Sequence, residues 1–79
     1  MDIQHGCEHY WTTFVEDINN GHSGFNLHRE RFGQYALVGQ TIYWDATGGF
    51  TFGTFNGEIV PVEVVEEAIA EAREKIKTG

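Results

Sequence analysis

Apolar side chains at Cys7, Tyr10, Trp11, Phe14, Val15 and Ile18 recur at steps of three and four residues. That spacing draws one stripe on a 3.6-residue helix, with His5, His9, Thr12 and Glu16 on the opposite side. Asn19-Asn20-Gly21 follows, and residues that tolerate left-handed geometry stop helices. The pattern predicts a first helix over about residues 5–20.

The middle of the chain, about residues 24–60, reads as β structure. Phe25–Phe32 alternates, Tyr35–Val38 and Thr41–Ala46 flank Gly39-Gln40, and Phe50–Phe55 follows the loop signal Thr47-Gly48-Gly49. Four antiparallel strands are expected. Asn56-Gly57 is the strongest turn dipeptide; it either closes a hairpin onto a short fifth strand at Glu58–Val60 or redirects the chain. Alternation assigns Ile42, Trp44, Phe50 and Phe52 to the core and Tyr43, Asp45 and Thr51 to the outer face; a bulge at Gly48-Gly49 or Gly53 would reverse one strand.

Pro61 suits the first turn of a last helix over about residues 61–77. Val62, Val65, Ile69, Ala72 and Ile76 form its stripe, with Glu63, Glu66 and Glu67 near its start and Arg73, Lys75 and Lys77 near its end. That polarity complements the helix dipole. Each helix has one apolar face, so the economical arrangement is an α+β domain spanning 1–79, with both helices packed on one sheet face.

Size fits that plan: 79 residues, 41% hydrophobic and 14% aromatic, suffice for one small core. Cys7 has no second cysteine to pair with, which fits a reducing compartment. No apolar run is long enough to span a membrane, and no export signal is evident. Charge is more informative. The net charge is −7, and neither residues 1–28 nor Phe32–Ala72 contain a Lys or Arg. Such a field repels nucleic acid and anionic lipid and attracts basic protein surfaces.

Chemistry is sparse. On a helix, His5 and His9 lie one turn apart and offer a metal two ligands, while Cys7 points away from them. A metal-binding module through His5 and His9 is the third-ranked reading. Cys7 lacks the electropositive setting of a nucleophile. The glycines match no phosphate-binding fingerprint. The pattern predicts neither enzyme activity nor a cofactor. Glu63, Glu67 and Glu71 instead set like charges at successive i, i+4 positions, which costs about a few tenths of a kcal/mol per pair. Glu63, Glu66, Glu67, Glu71 and Glu74 on the last helix, Glu58 before it, and Tyr43 with Asp45 on the sheet are the candidate partner-binding residues.

In its small size, its expected helix–sheet–helix plan, its acids of Phe32–Ala72 and its cation-free first helix, the chain resembles the small acidic phage-encoded anti-CRISPR proteins directed at type I, Cascade-like complexes. The resemblance implies an inhibitor acting in the cytoplasm of the host bacterial cell; a homodimer through an uncovered sheet edge or outer face is disfavoured by like charge on both copies, so a monomer is expected. It would occupy a basic DNA-binding surface of a CRISPR-Cas effector subunit and block target recruitment, without itself binding nucleic acid. The second-ranked expectation is a non-catalytic phage or bacterial adaptor or antitoxin-like interaction domain.

Overall fold

The computed structural model describes residues 1–17 and 19–76. Its elements in chain order are β1 Asp2–His5, β2 Glu8–Asp17, β3 His22–Arg31, β4 Gln34–Trp44, β5 Gly49–Thr54 and α1 Val62–Lys75. The strands form one antiparallel sheet in the order β1-β2-β3-β4-β5, each beside its sequence neighbour.

The helix predicted over residues 5–20 is absent; the described residues of that span form the β1–β2 hairpin and part of the turn toward β3. Tyr10-Trp11-Thr12-Thr13-Phe14-Val15 is an unbroken run of aromatic and β-branched side chains. Such residues restrict poorly into a helix and fit a pleated surface. As a strand it carries apolar groups on both faces, and that doubling produces the helix-like spacing. Tyr10 is fully buried toward α1, whereas Trp11 and Val15, by alternation, face the other way. Ile18 lies outside the described residues. Cys7, predicted inside an apolar stripe, is exposed in the turn Gly6-Cys7, where Gly6 takes φ 62°. A glycine accepts that conformation at no steric cost. The two-helix α+β plan therefore gives way to a mostly-β domain with one helix among the described residues. Glu58–Val60 forms no strand; β1 and β2, both from the segment predicted helical, bring the sheet to five.

A second correction concerns β4. The two strands predicted around Gly39-Gln40 are one, because β4 runs from Gln34 to Trp44. Leu27 pairs with Gly39 but His28 pairs with Leu37, so Val38 is an extra residue in a bulge. The extra residue resets the alternation. Ala36 and Val38 pack toward α1 on one side of it, and Tyr43 packs toward α1 on the other. Tyr43, predicted on the outer face, is therefore turned inward. Ile42 and Trp44, both predicted in the core, lie on the face away from α1; Ile42 is buried there as expected, whereas Trp44 is exposed. Ile42 lies over Gly24, where a Cβ would come within 2.9 Å of the Ile42 Cδ1.

α1 lies against β3 and β4. Its buried side chains are Val64, Ala68 and Ala72, with Ile76 just beyond its end. The predicted stripe is thus rotated, leaving Val62 exposed. Val64 closes a core with Tyr10, Leu27 and Val38, and Ala72 and Ile76 close another over Phe25. Phe52 packs on the first and Phe50 on the second. Lys77 and Gly79 lie outside the described residues. The molecule is 39 Å long, whereas a helix of 14 residues spans about 21 Å. One short helix therefore covers part of one sheet face and leaves the other face open.

Candidate functional site: a carboxylate helix face and an aromatic sheet face

Because Val64, Ala68 and Ala72 turn into the sheet, the outer arc of α1 presents Glu63, Glu66, Glu67 and Glu74, all exposed. None of the four makes an ion pair among the described residues. Glu63 lies in the first turn, where a carboxylate favours the positive end of the helix dipole. Glu66 and Glu67 gain less from it, and Glu74, in the last turn, sits at the unfavourable negative end.

The remaining predicted residues are placed elsewhere. Glu71 turns off this arc toward β1 and β2, where its largely buried carboxylate accepts from the Met1 ammonium and the Thr12 hydroxyl. Burial would raise its pKa; those hydrogen bonds and the nearby positive charges outweigh it and hold the carboxyl below the usual glutamate range. Glu58 accepts from Arg29 Nη2 at 3.0 Å, so its charge is met internally. Asp45 is exposed in the β4–β5 loop, beside Glu16, Asp17 and His22 in a shallow acidic recess. Tyr43 is half-buried against Phe50, with ring centres 5.1 Å apart, under the end of α1. The structure thus gathers Glu63, Glu66, Glu67 and Glu74 and separates them from Tyr43, Asp45, Glu58 and Glu71.

Both arginines of the central sheet are committed as well. Arg31 Nη1 lies 3.0 Å from Glu8 Oε2, and the Tyr10 hydroxyl donates to the same carboxylate at 2.8 Å. Burial, then the hydrogen bond to Glu8, push the Tyr10 pKa up to about 12.

The open sheet face carries a cluster that the predicted helix concealed. His9, Trp11, His28 and Tyr35 line up across β2, β3 and β4. The Trp11 and His28 rings stack at 14° with centres 5.4 Å apart. His28 Nε2 is 2.7 Å from the Thr13 hydroxyl and Nδ1 is 2.7 Å from the Tyr35 hydroxyl. Burial holds the His28 imidazole below its ordinary pKa. His9 Nε2 lies 2.6 Å from Asp2 Oδ1. Toward the other end, His22 and Trp44 meet at 4.7 Å between ring centres. The signal for this face was present in the sequence as His9, Trp11 and Thr13 at a period of two, legible only on a strand.

That geometry also removes the two-histidine metal reading. His5 and His9 pair with Glu8 and Gln4 respectively, which puts their side chains on opposite faces of the sheet. No group of three potential metal ligands occurs among the described residues. No described helix is long and apolar enough to cross a membrane.

Comparison with protein-family profiles, characterised proteins and solved structures finds no match to this chain.

Proposed function

We propose that this chain acts by binding a protein with a basic surface, through the outer carboxylates of α1. In its most specific form, the one implied by the resemblance to acidic anti-CRISPR proteins, it occupies a DNA-binding surface of a type I CRISPR-Cas effector and keeps target DNA away. The observation that supports this reading is the row Glu63, Glu66, Glu67 and Glu74, exposed and without ion-pair partners among the described residues. The chain's arginines in β3 are meanwhile satisfied by Glu58 and Glu8. DNA binding to such effectors draws on phosphate neutralisation by Lys and Arg. A rigid helix face of carboxylates competes for the same cations and steers encounter.

The test is competition between this chain and a labelled target duplex for a purified type I effector complex. The wild-type chain displaces the duplex, and the variant carrying Glu63→Gln, Glu66→Gln, Glu67→Gln and Glu74→Gln does so far less well. Equal displacement by both chains, or by neither, rejects the reading.

A second reading rests on a different observation. Tyr35 and Trp44 on the open sheet face are 59% and 39% exposed, and exposed aromatics anchor protein interfaces. An adaptor that docks through this face would lose binding on Tyr35→Ala or Trp44→Ala and respond little to salt.

A further inference from the structure

We propose that β5 pairs antiparallel with β5 of a second copy, joining two sheets edge to edge. β5 is the last strand of the sheet. The Phe55 N–H donates to Val38 O at 3.0 Å, which continues the β4–β5 register one residue past Gly39 and Thr54. Backbone groups alternate in direction along a strand. Gly53, Thr51 and Gly49 therefore face β4, and Phe50, Phe52 and Thr54 aim their N–H and C=O groups outward. Among the described residues, no backbone hydrogen bond outside the strand ladders reaches these three residues.

Edges of this kind are normally blunted by charge, proline, shortness or a covering element. Here none of the first three applies. From Ala46 to Gly57 the chain has no charged side chain and no proline, although its net charge is −7. The opposite edge contrasts with it: β1 has four residues, Asp2 and His5 among them.

The occupant follows from the register. Centred on Phe52, antiparallel self-pairing sets Phe52 opposite Phe52 of the second copy and Phe50 opposite its Thr54. Every outward-facing residue then meets an outward-facing residue. The nearest flanking charges are Asp45 and Glu58, and Arg29 already satisfies Glu58. Like-charge repulsion between copies is thus kept away from the seam. The two-fold axis stands perpendicular to the sheet, so both α1 helices lie on the same side and their carboxylate rows form one enlarged surface. This pairing does not depend on the identity of any basic partner. Its salt response has the opposite sign, because screening strengthens contact between two acidic copies.

Sedimentation equilibrium across a protein concentration series, at low and high salt, tests it. The expected weight-average mass rises from 8.9 kDa toward twice that value, more steeply at high salt. Thr54→Pro removes one outward N–H without touching the β4 ladder, and it should stay at the monomer mass. A wild-type chain that remains monomeric at the highest concentration overturns the proposal, as does a Thr54→Pro chain that dimerises like wild type. Amide exchange on the unmutated chain covers the case in which Thr54→Pro does not fold. The Phe52 and Thr54 amides should gain protection as concentration rises, and protection independent of concentration rejects the pairing.

Discussion

Arg29 on β3 and Glu58 in the segment before α1 are joined by a 3.0 Å charge-assisted hydrogen bond, with side chains 12% and 28% exposed. The pair ties the entry to the helix onto the centre of the sheet and removes Glu58 from the set of available surface acids. Arg29→Ala or Glu58→Gln should lower stability by about 1–2 kcal/mol, the range for a partly buried charged hydrogen bond. Urea denaturation measures this. Glu58→Gln should leave partner binding near wild type, in contrast to the variant neutralised on the outer face of α1.

Gly24 and Gly53 give opposite predictions for the same substitution. A Cβ on Gly24 would lie 2.0 Å from the Thr41 carbonyl oxygen, so the backbone of one strand would have to shift. Gly24→Ala should cost about 3 kcal/mol or prevent folding, at the upper end for overpacking. Gly53 has no atom within 4 Å of a Cβ and no left-handed φ. Gly53→Ala should be neutral or stabilise by about 0.5 kcal/mol, through lost freedom of the unfolded chain. Thermal melts of the two variants separate the cases.

Cys7 reports directly on the hairpin that replaces the predicted first helix. It is exposed in the β1–β2 turn, so a maleimide dye should label it stoichiometrically without denaturant. A helical first segment would bury it in the apolar stripe and require unfolding before labelling.

The C-terminal helix and the β character of the middle were legible in the sequence; the two-helix fold class was a misreading, and its causes are identifiable. The last helix and the Asn56-Gly57 turn follow from Pro61, the acid-to-base polarity and two residues that both take positive φ, 54° and 69°. The first segment deceives because a strand with Tyr10 on one face and Trp11 and Val15 on the other imitates a helical stripe. Its composition, all aromatic and β-branched from Tyr10 to Val15, was the stronger signal. The inward turn of Tyr43 depends on the bulge at Val38, and nothing local to Val38 announces it. Of the candidate site, the exposure of Glu63, Glu66, Glu67 and Glu74 could be read from helical spacing. The engagement of Glu58 by Arg29 and of Glu71 by Met1 and Thr12 could not, because each contact joins elements far apart in the chain.

Acidification should weaken the fold in two stages. His28 is held below its ordinary value of 6.5 by burial, so the unfolded chain takes up that proton first. Its contribution is complete above pH 6.5 and is lost as pH falls from there through the folded value. Glu71 is held below 4.5, its hydrogen bonds outweighing burial. Its contribution is present above 4.5 and is lost as pH falls through its lower folded value. Asp17, lowered by its hydrogen bonds from Asn20, adds to this second stage. Urea midpoints from pH 8 downward should show both steps. His28→Gln should remove the upper step, and Glu71→Gln should reduce the lower one without abolishing it.

Whether the exposed helix acids recognise cations on another molecule is tested most directly by the salt dependence of association with a DNA-free type I effector complex. For the wild-type chain the association rate should fall about tenfold or more from low to high ionic strength, as steered encounters do. For the chain with Glu63, Glu66, Glu67 and Glu74 all changed to Gln it should be slow and nearly flat. A wild-type rate that ignores salt, or a neutralised chain that associates as fast as wild type, would contradict the electrostatic basis of the proposal.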